Sequence, residues 1–327
     1  MGRWVAARAA GALATLLLMS VVVFGLIGLM PGDPVDLMVA GDPNMTSADA
    51  ARLRALYGLD RPLHERYLAW AGKALQGELG FSRSFGRPVL EILWPRLGNT
   101  LLLAGLAFAI AIVVALPLGM LAARRPGGRV DYLVNLACFA GVSAPPFWLA
   151  LLMITLFAVA LGWLPAGGMG DVPTQASWSD AALIRARHLA LPVATLALVQ
   201  IGHYTRFMRA AMIEALRQDF MRTARAKGVS EARAVWDHAF ANALAPVLTV
   251  LALSFGGLFS GALITETMFA WPGTGKAIYQ AILENDFNLA LVGLLIATLA
   301  TLLGNLLADL AQAWVDPRVS LTAGPGA

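Results

Sequence analysis

What this chain has least of is charge. Only 13% of its 327 residues are Asp, Glu, Lys or Arg, about half the share a soluble domain carries. Hydrophobic residues make up 58% and mean hydropathy is +0.69. These values exclude an ordinary soluble domain and indicate a polytopic membrane protein. Cysteine is nearly absent: Cys138 stands alone, so it makes no internal disulfide and says nothing of redox compartment. The four histidines, His64, His188, His203 and His238, have no ligand spacing, and no metal site is expected. No G-x-S-x-G elbow or paired acids suggest catalytic residues or an enzyme. The net charge of +4 fits the cytoplasmic retention signal of membrane proteins better than nucleic-acid binding.

Long uncharged runs are what the chain does have, and six are long enough to cross about 30 Å of hydrocarbon. They are residues 9–32, 97–123, a stretch within 132–170, 188–205, 238–265 and 287–308. The first exceeds the roughly 7–15 residue core of a cleaved signal peptide and reads as a retained span. The third is too long for one straight helix and carries Pro145-Pro146, so a helix kinked there and ending near Trp163 is expected. Residues 188–205 form the shortest span.

Six spans place both termini on one side. Arg3 and Arg8 precede the first span, and Arg124, Arg125 and Arg129 separate the second and third. Seven Arg or Lys lie between Arg206 and Arg233, against four carboxylates over 214–242. Basic short loops mark the cytoplasmic side, so both termini are expected to be cytoplasmic. Between the first two spans, residues 33–96 hold eight basic and eight acidic residues and read as a small external subdomain. There Thr46-x-x-Asp49 forms a capping box, Gly58 stops the helix that follows, and 67–75 is a second short helix. The organisation is therefore a first span (1–32), an external subdomain (33–96) and a transmembrane domain (97–315). No internal repeat or low-complexity segment is present.

Three further patterns bear on function. WPGTGKA (271–277) superficially resembles a phosphate-binding loop. Ala270 stands where its first glycine belongs and Ala277 where its hydroxyl belongs, so a turn at the external end of the fifth span is expected instead. No Asp, Glu, Lys or Arg lies near the middle of a span; Glu266 and Asp309 fall at span ends. That argues against an ion-coupled secondary carrier. Gly257-x-x-x-Gly261 allows close helix packing.

The polar segment 214–242, EALRQDFMRTARAKGVSEARAVWDHAFAN, sits between two spans at the cytoplasmic face. RTARAKG (222–228) is a helix end closed by a glycine, and Ser230 is placed to cap a second helix. The result is a helix, a corner and a helix, a shape that can seat in a partner protein. Here the chain resembles the permease subunits of ABC importers, in particular the dipeptide/oligopeptide/nickel branch. Against the family's EAA-x3-G pattern, Arg222 replaces the Glu and Thr223 the first Ala, while Ala224 and Gly228 match. PGDP (31–34), YGLDRPL (57–63), SAPPFW (143–148), GWLPAGG (162–168), ETMFAWPG (266–273) and VDPRV (315–319) are similar to that branch in the same order. The resemblance implies an all-α fold of six transmembrane helices of the type I importer kind, moving di- or oligopeptides across a bacterial inner membrane. A nickel or other small-solute importer of the same architecture is the alternative. It further implies a homologous second permease, two cytoplasmic ATPase subunits that hold ATP and Mg, and an external solute-binding protein. This chain would hold no cofactor. Arg222, Thr223, Ala224, Arg225, Ala226, Lys227 and Gly228 would dock the ATPase; the substrate path is not legible.

Overall fold

A computed structural model describes residues 2–29, 35, 46–56, 60–258 and 262–315. Gly58, Gly261, PGDP and most of VDPRV lie outside them. The contacts divide the chain into two compact units, Met1–Gly98 with Thr274–Ala300, and Asn99–Gly273 with Thr301–Ala327.

In the first unit, α1 (Gly2–Gly28) is followed by α2 (Ser47–Leu56) and α3 (Leu63–Leu75). The capping box forms as the sequence predicts: Asp49 N–H donates to Thr46 Oγ1 and Thr46 N–H to the Asp49 carboxylate, both at 3.2 Å. The Thr46 hydroxyl also holds the Asp49 carboxyl below its ordinary pKa. α3 meets α1 through Phe24 and Tyr67, edge to face at 5.5 Å, and through a 2.8 Å contact between the Ser20 and Tyr67 hydroxyls. α4 (Val89–Ala123) begins here, earlier than the apolar run at 97 suggests. Val89, Ile92 and Leu93 pack against Ala277 and Ala281 of α12 (Thr274–Leu283) and Leu289 and Val292 of α13 (Phe287–Val315). The loop before α4 is fixed to the α12–α13 turn by buried Asp286, which accepts from the Ser82 hydroxyl and the Ser84 N–H at 3.0 Å.

The second unit holds the rest of α4 with α5 (Arg129–Ser143), α6 (Pro146–Met153, continuing in a π-helical stretch Ile154–Ala160) and α7 (Trp178–Arg217). Between α5 and α6 the axis turns by 102°, far more than the expected kink. Pro145 keeps Ala144 extended, at φ −74° and ψ 124°, and Pro146 is suited to open a new helix. α7 is one helix of 40 residues, twice the uncharged run 188–205 that marks it in sequence. Charge ends an apolar run without ending backbone hydrogen bonding. α5 and α7 approach closely at glycines: a Cβ on Gly202 would stand 2.8 Å from the Cys138 carbonyl, and one on Gly141 3.1 Å from that of Leu198. α8 (Asp219–Ala226) follows, then α9 (Glu231–Arg233), which runs through a π-helical stretch Ala234–Phe240 into α10 (Ala241–Gly257); α11 (Leu263–Met268) closes the unit's main run.

Among the described residues five helices are long and apolar enough to cross a membrane: Ala6–Gly28, Val89–Ala123, Trp178–Arg217, Glu231–Phe255 and Phe287–Leu310. The bent pair Arg129–Ser143 and Pro146–Ala160 makes a sixth if it counts as one crossing.

Candidate functional site

The polar segment folds as a helical corner with an inner and an outer face. On the inner face of α8, Met221 and Ala224 are buried. Met221 joins one apolar cluster with Met208, Met212 and Ala215 of α7, Met120 and Ala123 of α4, Ala234 and Val235 after α9, and Val247 of α10. The corner is thus bedded on three of the long helices. On the outer face Arg222 is 80% exposed, in a loose 3.3 Å pair with Asp219, and Thr223, Arg225, Ala226 and Lys227 are also exposed.

Gly228 ends α8 as its sequence position predicts. Its φ is +78°, in the left-handed region that a Cβ disfavours. Val229 N–H reaches back to the Ala224 carbonyl at 3.2 Å and Gly228 N–H to that of Arg225 at 3.0 Å, the paired bonds of a Schellman turn. Val229 then tucks against the same apolar cluster.

Ser230 departs from expectation. It occupies the cap position and its carbonyl accepts from Ala234 N–H at 2.8 Å, but its hydroxyl makes no capping bond. The corner is closed instead by Glu231, which takes Arg225 in a two-pronged pair at 2.9 and 3.0 Å. That hydrogen bonding raises the pKa of the Arg225 guanidinium further. Arg225 is therefore committed within the chain, and Arg222 and Lys227 are the exposed cations that flank it. Sequence reading missed Glu231, although it lies only six positions from Arg225, across the glycine.

About two turns before the corner, Arg209 of α7 donates twice to Asp131 at the start of α5, at 2.5 and 2.7 Å. The buried carboxylate also accepts from Gly127 N–H and Asn135 Nδ2, at 2.8 and 2.6 Å. Each of its oxygens is satisfied, as a buried charge requires. The pair ties α7 to α5 next to the corner.

At the other candidate, WPGTGKA, the chain makes a turn between helices rather than a loop between strand and helix. α11 closes through Ala270, whose φ is +50°, with Trp271 N–H on the Glu266 carbonyl at 2.8 Å and Ala270 N–H on that of Thr267 at 3.2 Å. Trp271 is fully buried, its indole N–H donating to the Asn99 carbonyl at 3.0 Å, and Asn99 Nδ2 donates to the Pro272 carbonyl at 2.9 Å. Beneath the turn Glu266 has no exposed surface; Thr100 Oγ1 donates to it at 2.6 Å. Gly273 lies so close that a Cβ there would overlap the Glu266 carboxylate, and a Cβ on Gly167 would overlap the Phe269 carbonyl. Glu266 was legible only as a charge at a span end. Its partner Thr100 lies on another helix 166 positions away, and nothing local signals that pairing.

Residues 115–321 match the family described as Binding-protein-dependent transport system inner membrane component, and residues 1–104 match the N-terminal family of such membrane components. The oligopeptide transport system permease protein AppB of Bacillus subtilis (strain 168) is 36% identical over 320 residues, 98% of this chain and 99% of that protein. The di/tripeptide transport system permease protein DppB of Pseudomonas aeruginosa (strain UCBPP-PA14) is 38% identical over 317 residues, 90% of this chain and 92% of that one. Among solved structures, an amino acid ABC transporter with histidines aligns with a TM-score of 0.49 at 16% identity, covering 69% of this chain and 93% of that one.

Proposed function

This chain belongs to the binding-protein-dependent transport system inner membrane component family, and from that premise we propose that it is one of two permease subunits of an ATP-driven importer of di- and oligopeptides. A homologous permease, two cytoplasmic ATPases that hold ATP and Mg, and an external solute-binding protein complete the transporter. The observation that carries the proposal is the two-faced corner at Gly228. Its inner face is continuous with the apolar core of α4, α7 and α10, while its outer face offers Arg222 and Lys227 to solvent. A partner that grips the outer face therefore moves helices, which is what a subunit that receives work from a separate ATPase requires. The basic content of 206–233 supports a cytoplasmic position for this corner and for both termini.

Gly228→Val tests the docking role. A Cβ there meets nothing within 4 Å inside the chain, so the variant should insert and fold with a strain of about 1 kcal/mol. It should nonetheless lose ATPase subunits on co-purification, or hydrolyse ATP without peptide uptake. Full uptake by a stable Gly228→Val complex would make the segment an ordinary loop. Orientation is tested by single cysteines at Ser84 and Ser230, both exposed: an impermeant thiol reagent applied to intact cells should modify position 84 and spare position 230.

A further inference from the structure

Polar side chains on the outside of an apolar helix need water or protein to face, because lipid offers neither donor nor acceptor. The exposed sides of α4 and α7 differ in this respect. On α4 the exposed side is apolar from Leu102 to Leu121: Leu102, Leu106, Ile110, Val113 and Leu121, with Val113 at 71%. That is a lipid-compatible surface. On α7 the exposed side carries His203, Arg206 and Phe207. The His203 ring stands 4.9 Å from Phe207, and the Arg206 guanidinium lies 4.9 Å over the ring of Phe139 on α5. One turn deeper, Gln200 Oε1 is buried with no hydrogen-bond partner, the kind of group that calls for water or a ligand in the functional state. The opposite side of the same helix is fully engaged: Gly202 on Cys138, Thr205 donating to the Ala115 carbonyl at 3.5 Å, and Met208 against Gly119.

We propose that the stripe Gln200–His203–Arg206 lines the aqueous path of the assembled transporter, and that His203 and Arg206 guide the ionised C-terminal carboxylate of a peptide along it. The proposal rests on the reading of the chain as a peptide importer subunit. Every linear peptide with an unmodified C-terminus carries that carboxylate whatever its side chains, so a path that reads it tolerates varied sequences. A guanidinium is a permanent, forked donor for a carboxylate. The exposure of both side chains keeps the contact solvated and weak, which suits a group that must release its cargo as readily as it receives it. Phe207 and Phe139 flank the pair with apolar surface for peptide side chains.

The test uses the complete transporter in membranes, in a Cys138→Ala background. His203→Cys and Val113→Cys are treated with a charged, water-borne thiosulfonate reagent. The thiol at position 203 should react at least about tenfold faster than that at 113, since only the first faces water, and saturating peptide should slow it. In parallel, Arg206→Gln should raise the KM for a dipeptide with a free C-terminus several-fold and leave that for its C-terminal amide unchanged. A thiol at 203 as inert as that at 113, in a complex that imports peptide, overturns the path assignment: the stripe then faces the second subunit or lipid. Equal KM changes for acid and amide overturn the carboxylate role. A wild-type complex that binds and imports no peptide overturns the importer reading itself, and the carboxylate role with it, whatever the thiol does.

Discussion

At Gly228 and at Ala270 the backbone turns left-handed, at φ +78° and +50°, and the same two backward hydrogen bonds close each turn. Their surroundings are opposite. A side chain at 228 would meet open space, and the residues around it are charged and exposed. The turn at 270 is built over wholly buried Glu266 and Trp271, with Gly167 and Gly273 leaving no room for a Cβ. One turn geometry thus serves two purposes. Where it projects into solvent, glycine is needed for the backbone alone, and the outer shape remains free for a partner. Where it is walled in, packing holds the conformation firmly enough that even an alanine stays left-handed.

Breaking the walled turn should have the largest effect. Gly273→Val must displace the Glu266 carboxylate from Thr100, and a destabilisation at the top of the about 1–3 kcal/mol range for overpacking is expected. A lowered thermal midpoint and poor recovery of the detergent-purified transporter would report it; a variant as stable as wild type would show that the turn yields. Gly228→Ala should cost only the backbone term, about 1 kcal/mol, and should retain more ATPase on co-purification than Gly228→Val. Conversely, Ala270→Gly relieves the left-handed strain, and a small gain, about 0.5 kcal/mol after the extra freedom of the unfolded chain is counted, is expected in the thermal midpoint. The smallest effect belongs to Glu231→Gln. Its pair with Arg225 is solvent-exposed, and exposed pairs contribute little to stability. The thermal midpoint should not move, whereas the freed Arg225 should make ATPase association more sensitive to salt.

The same contrast explains what the sequence could disclose. Gly228 was legible because a glycine after a helix-forming stretch is a local signal, and its surroundings do not alter the outcome. Pro145-Pro146 announced a break, but prolines fix dihedrals and not the direction of the next helix, so the 102° turn was out of reach. The ends of α7 were hidden because hydropathy detects the membrane, not the helix. Ser230 misled for a related reason: its type and position suit a cap, yet Glu231 and Arg225 close the corner by a contact across the glycine. Glu266 with Thr100 and Asp131 with Arg209 join distant segments, and pairing of that kind follows from packing rather than from spacing.

The tie between Asp131 and Arg209 also sets an arm ratio. α7 continues from Arg209 for 8 residues to Arg217, where the corner begins, and for 31 residues in the other direction to Trp178. At 1.5 Å per residue these arms are about 12 Å and about 47 Å. A rod pivoting at the tie would return a displacement of 1 Å at the corner as roughly 4 Å at its far end. Pro192 interrupts the hydrogen-bond ladder of the long arm, and it is there that such a lever would give way if it were not packed along its length.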